Sequence, residues 1–293
     1  MTTTTGSSLA RATRRIARIA TALLVAGSSA SALADDGRGP MLSLGDSVVF
    51  GFIEQDGYAY VNPENFLGYP EIAGHALHLD ASNPSCPGET SASFLSATAP
   101  DNGCHSYRAS FPLHESYAGT QMEFARSFLG AHRNTRLITL SLGANDGFLL
   151  QAACGGDPAC IQAGLPAALA AVYGNLNTIL SNLRASGFKG MLMVVNYYSL
   201  DYSDPAQTGL TVALNQALAG AAAANGAVVA DAFTAFYKVA ARPFAAGNTC
   251  KSGLLNGSAS SATACDDHPS LTGQRLLART VQAAYLGARR AGD

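Results

Sequence analysis

Five short apolar runs, Met41 to Leu44, Leu77 to Leu79, Leu137 to Leu142, Met191 to Val195 and Ala227 to Ala230, punctuate this chain without the strict alternation of a strand that has one wet face. Runs of that kind suit strands covered on both faces. Helical patterns fall between or after them. From Ala159 to Arg184 the residues Leu165, Leu169, Val172, Leu176, Ile179 and Leu183 recur in steps of three and four, which predicts one buried helix face. Asp157-Pro158 supplies its start signal and Gly187 its stop. Two further helices are predicted, Gln207 to Ala224 on Leu210, Leu214 and Leu218, and Ser270 to Ala291 on Leu277, Val281 and Tyr285. Strands alternating with helices imply an α/β domain whose parallel sheet is covered on both faces. The irregular stretches are Phe52 to Pro70, Asn83 to Ser110 and Pro243 to Ala264. In such a domain, long loops at the carboxyl edge build the binding site.

The first 34 residues carry Arg11, Arg14, Arg15 and Arg18 and no acid, then an apolar run from Ile19 to Ala26, then Ala32-Leu33-Ala34. That order predicts a secretory signal peptide, residues 1–34, followed by a single domain, 35–293. No later segment reads as long and apolar enough to span a bilayer, so a secreted or periplasmic protein without a transmembrane segment is expected. Taking four arginines from 18 basic residues leaves 14 against 20 acids, a formal charge of −6. That balance argues against nucleic acid as a partner, because phosphate binding needs a basic face. The six cysteines, Cys86, Cys104, Cys154, Cys160, Cys250 and Cys265, invite pairing as three disulfides in an exported chain. Sequential pairing is expected among the roughly fifteen possible connectivities, because each successive pair brackets a loop rich in Gly, Ser, Asn or Pro. A metal site on Cys250, Cys265 and His268 is the rival, against which stand the lack of a Cys-x-x-Cys pair and the oxidising destination.

Polar clusters stand at the ends of these apolar segments. Gly45-Asp46-Ser47 follows the first run, Gly143-Ala144-Asn145-Asp146 follows the third, and Asp266-Asp267-His268-Pro269 lies near the other terminus. A serine hydroxyl is a poor nucleophile until a base takes its proton, so Ser47 calls for His268. Together with Gly88 in Cys86-Pro87-Gly88-Glu89-Thr90, these clusters, in this order from Met41 to Gln274, resemble the four blocks of the SGNH (GDSL) hydrolase family of secreted bacterial esterases and lipases. No Gly-x-Ser-x-Gly elbow, P-loop or Gly-x-Gly-x-x-Gly competes.

The resemblance implies a three-layer α/β/α domain with a five-stranded, mainly parallel sheet of flavodoxin-like winding. It makes Ser47 the nucleophile toward an ester carbonyl and His268 the base, with an ordinary pKa of about 6.5 suited to taking and returning a proton. The oxyanion donors it implies are the backbone N–H groups of Ser47 and Gly88 and the Asn145 amide. One such donor is worth roughly 2.7–4 kcal/mol in the transition state. The acid usually lies three residues before the histidine, a position held here by Cys265. Asp266 is therefore the first choice to orient His268, Asp267 the second, and a backbone carbonyl the third. Asp146 reads as structural, and Pro269 suits the first position of the last helix. His75, His78, His105, His114 and His132 read as surface or loop residues, and Tyr58, Tyr60, Phe66 and Tyr69 as packing under a long loop, with the lining of an acyl or sugar pocket as the alternative. Tyr197 and Tyr198 follow the fourth strand and are weighed as substrate contacts. The expected protein is a monomeric esterase or lipase acting on small-molecule or lipid esters through an acyl-enzyme, without metal or organic cofactor. Deacetylation of an acylated glycan, acyl transfer and a non-catalytic binding protein are the alternatives.

Overall fold

Met41, Leu42 and Leu44 are fully buried in β1 (Gly39–Gly45), the middle of a sheet assembled from the apolar runs. The computed structural model describes residues 38–54, 59–258 and 261–292; the expected signal peptide and Tyr58 lie outside them. In chain order, β1 is followed by α1 (Ser47–Phe50), α2 (Tyr69–Leu77), β2 (Leu79–Ser82), α3 (Cys104–Ser110), α4 (Gln121–Ala131), β3 (Leu137–Ser141), α5 (Ala144–Ala153) and α6 (Pro158–Ala185). Then come β4 (Met191–Val195), α7 (Pro205–Ala224), β5 (Val228–Ala230), α8 (Ala232–Ala240), β6 (Leu255–Ser258), β7 (Ser261–Pro269) and α9 (Leu271–Gly292).

The five-stranded sheet has the order β2-β1-β3-β4-β5 with every neighbour parallel, which is the flavodoxin-like winding expected. Its register pairs Met41 with Leu137 and Gly45 with Ser141. All five residues of β3 are buried, as a strand between two helical layers requires. Each such Leu, Ile or Met withdrawn from water contributes roughly 1.5–3 kcal/mol. One helical group packs α2 and α8 against α9, and the other packs α6 against α4, α5 and α7. The chain moves from β1 outward to β2 and then back past β1 to β3, so the winding reverses between β1 and β3. Ligands in such sheets bind beyond the carboxyl ends of the strands at that reversal.

The caps explain why the long helix starts where the sequence predicts. Asp157 accepts the Ala159 N–H at 3.1 Å, with Pro158 in the first turn. Three disulfides join Cys86 to Cys104, Cys154 to Cys160 and Cys250 to Cys265, the sequential pairing. The last pair is a disulfide and offers no thiolate to a metal.

Four expectations need correction. Leu77 ends α2 rather than opening a strand; His78 caps it in the left-handed region and β2 begins at Leu79. A short apolar run cannot by itself distinguish a helix end from a strand. The stretches read as irregular contain α3 as well as β6 and the start of β7, two strands that pair as an antiparallel hairpin. Pro269 ends β7 rather than starting the last helix, and Ser270 Oγ accepts the Gly273 N–H at 3.2 Å at the head of α9. Finally, α6 is long and apolar enough to cross a membrane by length and composition, with a mean hydropathy of 1.3 over its best window, of which 11% is buried. Its stripe is buried only from Val172 onward.

Candidate active site

Ser47 stands at the first position of α1, directly beyond β1. Gly45 permits that approach: its φ is +144°, and a Cβ there would stand 2.0 Å from Ser141 O on β3. The Gly45 peptide is gripped on both sides, its N–H donating to Gln121 Oε1 at 2.7 Å and its carbonyl accepting from Gln121 Nε2 at 3.0 Å. Asp46 caps α1 by accepting the Val48 N–H at 3.0 Å, and its other oxygen accepts the Tyr197 hydroxyl. Burial pushes the Asp46 carboxyl up to about 6, although the Tyr197 and Val48 bonds pull the other way. The half-buried Ser47 makes no side-chain hydrogen bond among the described residues, and its backbone N–H likewise has no protein acceptor there.

Gly88 has φ +84°, and a Cβ on it would lie 2.4 Å from Asn102 O, so only glycine fits without displacing the loop. Its carbonyl accepts the Asn102 N–H at 2.8 Å, and its own N–H has no acceptor among the described residues. The Cys86–Cys104 disulfide ties both ends of this loop. Asn145, in the first turn of α5 after β3, is oriented by two hydrogen bonds. Its Oδ1 accepts from Asn102 Nδ2 at 2.8 Å, and its Nδ2 donates to Glu89 O at 3.0 Å. An amide nitrogen carries two protons, so one of the Asn145 pair remains for a ligand. Asp146 is structural as expected, its carboxylate accepting from the Ser91 hydroxyl at 2.6 Å and the Ser91 N–H at 2.9 Å.

The β6–β7 hairpin delivers His268, whose ring packs edge-on against Phe52 at 5.0 Å between centroids. Its Nδ1 lies 3.1 Å from Asp267 Oδ1 and 3.6 Å from Asp266 Oδ2. Neither contact is an aligned hydrogen bond, and both Nδ1 and Asp266 Oδ2 are buried without a hydrogen-bond partner among the described residues. The Asp266 side chain is 1% exposed and that of Asp267 36%. Asp266 Oδ1 accepts the His268 backbone N–H at 2.9 Å, and the Tyr198 hydroxyl donates to Asp267 O at 2.6 Å. Burial by itself lowers the imidazole pKa, but the Asp266, Asp267 and Asp46 carboxylates outweigh it and hold it above the ordinary value.

Ser47, Gly88, Asn145 and His268 line one cavity of about 830 Å³ at the carboxyl edge of the sheet, with Asp267 at its wall and Asp266 behind His268. Tyr197 and Tyr198 also line it, but each hydroxyl is engaged by the protein. Tyr60 and Phe66 pack on Phe52, and Tyr69 is buried with its hydroxyl on Thr139. His114 is a loop residue, as expected, whose ring lies tilted against Phe50 at 4.4 Å between centroids and whose Nε2 contacts Phe50 O at 3.0 Å. Asp46, Gln121, Asn102 and Glu89 were not legible as parts of the site. Only the capping box of Thr120 with Glu123 was available as a signal, and it announces a helix start without saying where Gln121 turns. Among the described residues, one group of metal-ligating types stands together, Cys86, Glu89 and Cys104, and its two sulfurs are joined to each other.

No curated protein matches the chain by sequence. Solved structures do match by fold. Phospholipase A1 from Streptomyces albidoflavus is 17% identical with a TM-score of 0.55, covering 84% of this chain and 99% of its own. An α/β hydrolase enzyme from the metagenome of Lake Arreo is 13% identical with a TM-score of 0.51, covering 84% and 94%. An acetyl xylan esterase variant from Geobacillus stearothermophilus is 12% identical with a TM-score of 0.50, covering 85% and 96%. At such identities the likeness is one of fold. Residues 43–276 match the model of the GDSL-like lipase/acylhydrolase family. With that match over most of its length, and with the family's blocks meeting at one edge of the expected sheet, the chain belongs to the GDSL-like lipase/acylhydrolase family and is a carboxylic ester hydrolase.

Proposed function

We propose that the chain is an exported serine esterase that cleaves carboxylic esters through an acyl-enzyme on Ser47. The observation that carries this is the convergence of Ser47, Gly88, Asn145 and His268, from four separate segments, on one cavity in which the Ser47 and Gly88 N–H groups have no acceptor among the described residues. Ser47 Oγ attacks the ester carbonyl as His268 Nε2 takes its proton. The oxyanion is held by the two backbone N–H groups and the unspent Asn145 amide proton. His268 then returns the proton to the departing alcohol, and water, activated by the same imidazole, releases the acid. Asp266 orients the ring: its Oδ2 and His268 Nδ1 are both buried and unpartnered, and a sub-ångström approach satisfies both. Apo active sites are commonly loose by such amounts and tighten with substrate bound. Three disulfides accord with an oxidising destination.

Hydrolysis of p-nitrophenyl butyrate and labelling by a fluorophosphonate, with the modified peptide mapped, test the reading. Wild type turns over and labels at Ser47, and Ser47→Ala does neither. A wild type that neither labels nor hydrolyses any ester would sink it.

A further inference from the structure

The cavity extends well beyond the residues that converge on Ser47. Past Asn145 its wall is formed by Phe148 on α5, Ile161, Leu165 and Leu169 on α6, and Leu210 and Leu214 on α7. The α6 residues are spaced four apart, as are the α7 pair, so each set projects from one helix face. Between Ile161 and Leu169 a helix rises roughly 12 Å, a depth suited to an extended hydrocarbon. The inner end meets the sheet edge: a Cβ on Gly143 would stand 3.0 Å from Val172 Cγ1 and 3.3 Å from Leu214 Cδ1, two residues before Asn145.

The chemistry of this wall is one-sided. Gln151, Gln207 and Thr211 contribute polar atoms to the lining, but residues 158–183 and 205–230 contain no Asp, Glu, Lys, Arg or His. Asp146 on α5 also lines the cavity, but Ser91 occupies both of its carboxylate oxygens, so the wall offers no free ion to a charged ligand and few groups for the hydroxyls of a sugar. The wall is also braced. The Cys154–Cys160 disulfide closes the turn between α5 and α6, and Gly164 admits Leu150 so closely that a Cβ there would lie 2.6 Å from Leu150 Cδ1.

We propose that this slot takes the acyl chain of the substrate, so that the enzyme selects esters of medium and longer fatty acids over acetyl esters. The inference rests on the reading of Ser47 as the ester-cleaving nucleophile. Each methylene moved from water into the slot raises kcat/KM by about fourfold.

The test compares p-nitrophenyl acetate with p-nitrophenyl octanoate for wild type, for Leu165→Trp, which fills the slot, and for Leu165→Gln, which keeps its volume and makes it polar. Wild type favours octanoate, and both variants lower the octanoate-to-acetate ratio of kcat/KM by at least about tenfold, the factor expected when several methylenes lose their apolar wall. A wild type that favours acetate, or a ratio unmoved in both variants, overturns the slot and leaves the esterase reading in place. If wild type cleaves neither ester, fluorophosphonate labelling at Ser47 judges the esterase reading, and calorimetric titration with decanoate judges the slot alone. Binding that Leu165→Trp weakens supports it, and no binding heat overturns it.

Discussion

His268 Nδ1 has two carboxylates within reach, and distance alone does not choose between them. Asp267 Oδ1 is nearer, at 3.1 Å against 3.6 Å, but its side chain is 36% exposed and water competes for it. Asp266 Oδ2 is shielded and has no hydrogen-bond partner, so leaving it unpaired is costly. Asp266→Asn is accordingly expected to lower kcat by about 10³- to 10⁴-fold by presenting the wrong partner to the ring, whereas Asp267→Asn costs less than about tenfold. The pH profile gives a second reading of the same pair. The base must be neutral, so kcat/KM falls as pH drops through the His268 pKa, which the carboxylates hold above the ordinary value of about 6.5. Asp266→Asn moves that acid limb to lower pH; a limb that moves only with Asp267→Asn reverses the assignment. At this scale Ser47, Asn145 and His268 were legible in short runs of consecutive residues, and Gly88 only through the resemblance of the ordered blocks to the family. The Asp46–Tyr197 bond was not, because it joins residues 151 apart with no local pattern to announce it.

Among elements, the loop between β2 and α3 is the one whose shape depends most on a covalent tie. It carries Gly88 and Asn102, and Cys86–Cys104 closes it over a separation of 18 residues. The double variant Cys86→Ala/Cys104→Ala is expected to lose about 3 kcal/mol of stability, seen as a lower urea midpoint, together with a fall in kcat as the Gly88 N–H loses its fixed aim. A lower midpoint with full kcat would show that hydrogen bonding alone holds Gly88. The long helices were read from sequence to within a few residues because their caps and apolar stripes are local, as Asp157 and Pro158 illustrate at the start of α6. The end of α2 was not, since three apolar residues suit a helix end and a strand equally. The burial of α6 was misjudged at its first half, where the apolar stripe faces the cavity rather than the core.

At the scale of the molecule, the carboxyl edge holds acids that folding removes from water. Burial pushes Asp46 up to about 6 from 3.8 and Glu89 up to about 7 from 4.5. Both bind a proton more tightly folded than unfolded. Their contribution to stability is therefore complete below about pH 4 and is lost as pH rises through 6 and then 7, by roughly 3 kcal/mol for each group. Melting temperatures between pH 4.5 and 8 should decline for wild type and decline less steeply for Glu89→Gln, in which that group cannot ionise. Parallel curves would show that Glu89 is already charged in the folded protein without penalty. By itself the sequence determined the parallel sheet, its long helices and the four residues that meet at its edge, because apolar period, helix caps and short motifs are written in neighbouring positions. Only the tertiary structure decided that Gln121 grips Gly45 from 76 residues away, that Tyr197 holds Asp46, and that α6 and α7 wall the cavity with uncharged side chains. Those contacts exist only once the β1–β3 reversal and the packing of the helices have brought distant segments to one edge.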